Sequence, residues 1–230
     1  MIDWSWIVDH LDVLAYRTLQ HLYLTAIAVA VGFAISFGLS VWAVRRRILY
    51  GPIVGITGLL YTIPSLALFP FFIPITGLTD FTAEIPLVLY SLLIFVRNIV
   101  AGLDGVPRDI IEAADGAGYD ARTRFWRIEV PLAIPLIVAG IRLAAVSTIG
   151  LVTITGILGD RFGGLGFFIF EGRRHSFATE IFLGGLVSIV LAVAVDLALV
   201  RVQRRLTPWA RAEAERRLGP GARPELGGAA

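Results

Sequence analysis

Residues 18–44 read TLQHLYLTAIAVAVGFAISFGLSVWAV, and His21 is the only side chain in the run that ionises near neutral pH. A bilayer core of about 30 Å calls for roughly 20 apolar residues in one helix, so this stretch is a membrane crossing. The rest of the chain is of the same kind. Of its 230 residues 57% are hydrophobic and 17% charged, and the mean hydropathy is +0.78. Soluble domains run nearer 45–50% apolar and about 25% charged. This balance excludes a nucleic-acid binder and a disordered hub, and the absence of cysteine excludes a secreted disulfide scaffold.

Outward from that stretch, residues 48–79 carry no charge but contain Pro52, Pro64, Pro70 and Pro74. The run is too long for one straight crossing, and the reading is one kinked or interrupted helix with a short surface segment near Gly51. Further spans are expected over Ile85–Leu103 with Arg97, Pro131–Leu158 with Arg142, and Ile181–Leu199 with Asp196. The predicted fold class is therefore all-α, a polytopic membrane protein with about five transmembrane helices. Residues 1–17 read as an extracytoplasmic segment. Their acids Asp3, Asp9 and Asp12 stand where a cleavable signal peptide would be basic, and Trp4 and Trp6 suit an interfacial belt.

All twenty basic residues are arginine. Fifteen fall on one side of this topology: Arg45, Arg46 and Arg47 after span one, five from Arg97 to Arg127 around the loop after span three, and seven after span five. Arg17, Arg161, Arg173 and Arg174 fall on the other. The positive-inside rule then predicts the N-terminus outside and the C-terminus in the cytoplasm. The main membrane domain is expected over 18–203 and a cytoplasmic tail over 204–230, with Trp209–Leu218 a short surface helix and the Gly/Pro-rich end disordered. There is no internal repeat, so a transporter built from inverted repeats within one chain finds no support.

The loop of about 104–131 is the most patterned segment outside the spans. Pro107 suits a first helical position, and Ile110, Ile111, Ala113 and Ala114 alternate with Asp109, Glu112 and Asp115 at amphipathic spacing. Gly116 and Gly118 can stop that helix. Asp120 can cap a second one, bearing Phe125, Trp126, Ile128 and Val130 and ended by Pro131. The result is a helix–turn–helix knuckle, fit either to dock in a partner's groove or to lie on the lipid surface.

Glu112-Ala113-Ala114, then Gly118, then Ile128-Glu129-Val130-Pro131, resembles the EAA loop of ABC importer permeases, with Val130 for the usual leucine. The stretches Tyr61–Leu68, Val96-Arg97-Asn98, Glu112–Gly116 and Pro135–Arg142 are similar to the osmoprotectant branch, whose members import glycine betaine, carnitine, choline or proline betaine. The likeness runs from about Thr18 to Arg204, and the outer loop Asp160–Gly166 departs from it by its arginines. The resemblance implies a type I importer permease fold in a bacterial inner membrane. It also implies a second permease copy or paralogue, cytoplasmic ABC ATPases and an extracytoplasmic substrate-binding protein as partners. Glu112 is then expected as a polar anchor or helix cap of the coupling knuckle, Ala113 and Ala114 as its close-approach surface, Gly118 as its turn, Ile128 as part of the motif, and Pro131 as setting the way into span four.

Tyr61, Thr62, Pro64 and Ser65 are candidates for the pathway, because prolines within a span need neighbours or water to satisfy the freed carbonyls. Arg142 and Asp196 are ionisable groups within spans, and a structural ion pair between them is preferred to substrate contact. No metal or cofactor is expected on this chain. Without lysine it has no Walker phosphate loop, so ATP and Mg would sit on a partner and the chain is not expected to be an enzyme. Two alternatives stand beside this reading. A permease of the methionine or sulfonate type would share the loop. An intramembrane hydrolase lacks H-E-x-x-H and G-x-S-x-G motifs and would need a pair such as Ser147 with His21 formed in space.

Overall fold

A computed structural model describes residues 2–208, and among them there are helices and no strands. A short helix α1 (Trp4–Asp9) leads into α2 (Leu11–Arg45), and a 3₁₀ turn then passes into α3 (Tyr50–Thr62) and α4 (Ser65–Thr76). Next come α5 (Asp80–Asp104), α6 (Arg108–Gly116) and α7 (Ala121–Arg124), which continues through a π turn (Phe125–Glu129) into α8 (Val130–Ile154). A 3₁₀ turn, α9 (Gly166–Arg174) and α10 (Ala178–Leu206) complete the described chain.

Among the described residues four helical runs are long and apolar enough to cross a membrane: α2, α5, Ala121–Leu158 and α10. The α3–α4 pair, bent by 97°, makes a fifth if taken as one broken span. Most spans outrun their apolar cores: α2 begins at Leu11 and so absorbs part of the expected N-terminal segment, while α10 reaches Leu206. Gly51 lies within the first turn of α3, just after the 3₁₀ turn Arg47–Leu49 that interrupts the helix. The proposed helix at Trp209–Leu218 and the disordered end lie outside the described residues.

Helix α5 is the axis of the bundle. A Thr79/Thr82 capping box starts it, and Phe95, Val96, Ile99, Leu87 and Ala83 along it are fully buried. Its neighbours approach closely because glycine faces it: a Cβ on Gly32 of α2 would stand 2.0 Å from Ser91 Oγ, and one on Gly140 of α8 2.6 Å from Asn98 Cβ. Small residues at helix crossings are how bundles pack where lipid supplies no hydrophobic drive between helices. In contrast, α10 exposes Phe182, Leu186, Ile189, Val190 and Val193. Such a patch suits lipid or another membrane chain rather than water.

Candidate functional site

Two regions gather the residues singled out by sequence. The first is the knuckle at the end of α5. Pro107 is the N-cap of α6, one position before its first helical residue. The helix closes with a Schellman motif: Tyr119 N–H donates to the Ala114 carbonyl (3.1 Å) and Gly118 N–H to that of Asp115 (3.0 Å). Gly118 takes φ +83°, with open space around it, so the backbone angle alone calls for glycine. The Asp120 carboxylate caps α7, accepting from the Arg122 and Thr123 N–H groups. A hydrogen bond from the Thr123 side chain, with these backbone donors, holds its pKa below the ordinary carboxylate value.

The second helix of the knuckle does not stop at Pro131. Val130 N–H reaches back to the Phe125 carbonyl, and this π turn lets α7 run on into α8 with Pro131 inside the helix start. A proline lacks the N–H and crowds the carbonyl four residues back, and the wider turn absorbs both defects. Phe125 is buried with Ile99, Leu103 and Ala133, and Trp126 stacks on Phe37 at 6.0 Å, so the aromatic half of the knuckle is anchored in the bundle. Glu112 caps neither end of α6, as it sits in mid-helix, exposed and with no partner among the described residues. Ala113 is exposed beside it, whereas Ala114 faces inward, which divides the expected close-approach surface. Ile128 and Pro131 are half-buried. Sequence reasoning passed over Arg124, whose guanidinium pairs with Asp115 of α6 and with Glu129 of the π turn (2.8 Å).

The second region is the break between α3 and α4. Pro64 pushes Ile63 to extended backbone (φ −65°, ψ 130°), which ends α3. The Tyr90 hydroxyl of α5 donates to the freed Ile63 carbonyl, and the Tyr61 and Tyr90 rings meet edge to face at 5.8 Å. A cavity of about 460 Å³ opens there. Tyr61, Thr62, Pro64 and Ser65 all line it, joined by Tyr90 and Ser91 of α5 and Ser147 and Thr148 of α8. Among the described residues no charged side chain lines it. The hydroxyls from α5 and α8 were not legible in advance, since nothing local in those helices marks which face turns toward a break elsewhere.

Arg142 and Asp196 do meet, but away from this cavity. The pair is bidentate, Nε to Oδ1 at 2.9 Å and Nη2 to Oδ2 at 3.0 Å. Gln203 accepts from Arg142 Nη1 (3.2 Å) and donates to the Pro135 carbonyl (3.2 Å). The group is a clasp between α8 and α10. His21 and Ser147 do not form a hydrolytic pair: the His21 Nδ1 accepts from Leu165 N–H (3.2 Å) and its Nε2 donates to the Ile149 carbonyl (2.9 Å). Both ring nitrogens are thus spent, one on tying α8 to α2 and the other on holding the loop after α8 against α2. Among the described residues no cluster of His, Asp or Glu could hold a metal.

Residues 30–212 match the profile of a family described as the binding-protein-dependent transport system inner membrane component. The chain is 36% identical over 196 residues to the glycine betaine/carnitine/choline transport system permease protein OpuCB of Bacillus subtilis, spanning 85% of this chain and 89% of that one. It is 38% identical over 208 residues to the osmoprotectant import permease protein OsmW of Salmonella typhimurium, spanning 88% and 96%. In fold it is similar to a chain of the MetNI methionine ABC transporter in an inward-facing conformation, with a TM-score of 0.73 at 21% identity over 84% of this chain and 96% of that one.

Proposed function

The chain belongs to the family of binding-protein-dependent transport system inner membrane components, and from that premise we propose that it is the permease subunit of an ATP-driven importer of osmoprotectants, small quaternary ammonium compounds such as glycine betaine, carnitine or choline. It is a multi-pass inner-membrane protein and a transport subunit rather than an enzyme. Its partners are two cytoplasmic ABC ATPases, a second permease copy or paralogue, and an extracytoplasmic binding protein that delivers the solute.

The observation that carries the reading is the hydroxyl-lined, charge-free cavity at the α3–α4 break. A quaternary ammonium has no N–H to donate, and a fixed charge within this cavity would either repel it or hold it. Neutral hydroxyl and aromatic surface offers weak, replaceable contacts suited to passage. Force enters at α6, whose exposed Glu112 and Ala113 dock against the ATPase. Arg124 carries the movement from α6 to the π turn, and the continuous helix delivers it to Ser147 and Thr148 at the cavity. The names borne by relatives at 36–38% identity favour osmoprotectants over methionine or sulfonates, because the methionine transporter, at 21%, supports only the fold.

The test is uptake of radiolabelled glycine betaine by proteoliposomes holding the complex, binding protein and internal ATP. Uptake that depends on ATP and is competed by choline or carnitine is expected. ATP-driven uptake of methionine or a sulfonate, with none of any quaternary ammonium compound, would overturn it.

A further inference from the structure

At the end of the bundle opposite the knuckle, the first turns of α2, the start of α5 and the loop after α8 enclose a cleft of about 430 Å³. Its walls carry one acid, Asp80, one base, Arg161, and the rings of Tyr16, Tyr23 and Phe162. Asp80 and Arg161 are exposed, and neither has an ion-pair partner among the described residues. We infer that this cleft is a reception site for a small quaternary ammonium zwitterion, with Asp80 and the tyrosine rings taking the cationic head and Arg161 the carboxylate.

The chemistry divides cleanly between the two walls. A quaternary ammonium cannot donate a hydrogen bond, so it is held by charge and by aromatic faces, which Asp80, Tyr16 and Tyr23 supply. A carboxylate is met best by the planar fork of a guanidinium. The backbones of α2 and of the loop bearing Arg161 are tied together before any ligand arrives. Gln20 of α2 donates to the Arg161 carbonyl (2.6 Å), and the next residue, His21, takes the Leu165 N–H, so the loop bearing Arg161 is tied to the helix bearing Tyr16 and Tyr23. Holding the partners ready in advance lowers the ordering cost of binding.

A second observation points the same way. Tyr23 and Asp80 also border a groove of about 510 Å³ between α2 and α5, apolar but for Asp80 and Glu84. Glu84 is 8% exposed, and neither carboxylate oxygen has a partner among the described residues. An ionised acid left unpaired in such surroundings is costly, and either a proton or a cation relieves it. Lying one helical turn below Asp80, it offers the cationic head a second station deeper in the bundle.

The inference rests on the reading of the chain as a quaternary ammonium importer, and the experiment separates the two. The complete complex in lipid nanodiscs, without its binding protein, is titrated with radiolabelled glycine betaine, with choline, and with the uncharged tert-butyl isostere of choline. Betaine and choline bind saturably and the isostere does not compete. Asp80→Asn weakens both charged ligands about tenfold, the scale of one well-placed charge contact. Arg161→Gln weakens betaine about tenfold and leaves choline unchanged or tighter, and Arg161→Lys recovers part of the loss. Glu84→Gln weakens both charged ligands, and unchanged thermal midpoints of the exposed Asp80 and Arg161 variants exclude misfolding. If the complex with its binding protein imports betaine, yet betaine fails to bind alone or binds indifferently to Asp80→Asn and Arg161→Gln, the site is overturned and the transport reading stands. A complex that imports no quaternary ammonium compound overturns both.

Discussion

Glu112 and Gly118 stand six positions apart in one loop, and they are expected to fail in different ways when changed. Glu112 is exposed in mid-helix with no partner among the described residues, so nothing in the fold depends on its charge. Glu112→Lys should insert normally and leave the thermal midpoint of the complex within error, while substrate-stimulated ATP hydrolysis is lost. Normal stimulation would show that α6 does not couple through this side. Gly118→Ala places a Cβ at φ +83° and costs about 1 kcal/mol of local stability, read as faster amide exchange in α6 before any change in transport. Residues whose role is set by the local backbone were readable in advance: Gly118 as a left-handed stop and Asp120 as a cap are both found there. Glu112 as a cap was not found, because its position in the helix depends on where Pro107 starts it. Tyr90 was unreadable for a different reason. Its hydroxyl meets a carbonyl 27 positions earlier, and no pattern within α5 encodes that meeting.

Between elements, the same distinction decides what sequence could supply. Runs of apolar residues identified each span, since the bilayer fixes their length. The helices run on past those apolar stretches because polar first and last turns stay helical once the core of the helix is held, as in α2 and α10. Pro131 misled for a related reason: it ends a helix only where no wider turn can absorb it, and the Phe125–Glu129 π turn does. The Arg142–Asp196 pair was anticipated from two lone charges in spans, while Gln203, which closes the clasp onto the Pro135 carbonyl, was not. This clasp is a double-mutant cycle waiting to be measured. Arg142→Gln or Asp196→Asn alone strands an opposite charge between α8 and α10, and should destabilise more than the pair of changes together. A favourable coupling between the two positions is expected by chemical denaturation in detergent. Simple additivity would mean that the two groups do not depend on each other in the folded bundle.

At the scale of the whole chain, function requires the knuckle and the Asp80–Arg161 cleft to face opposite sides of the membrane, and arginine placement leads us to expect the knuckle in the cytoplasm. The α3–α4 break matters most to that argument. Counted as one span bent by 97°, it gives five crossings and puts the two termini on opposite sides. Counted as a re-entrant loop it would give four and separate the ends of α2 and α5, which the fold instead joins through the Arg47–Asp104 ion pair. Because the chain has no cysteine, single thiols report the answer without background. Ala117→Cys lies in the exposed turn after α6, and His175→Cys in the exposed turn after α9. With a membrane-impermeant maleimide on intact cells, the thiol from His175→Cys should label and that from Ala117→Cys should label only after permeabilisation. The reverse pattern would invert the protein, putting the Glu112 face out of reach of any cytoplasmic ATPase. Labelling of both from outside would put the two ends of α8 on one side of the membrane, and the hydroxyl-lined cavity would then belong to one face of the membrane rather than to a route across it.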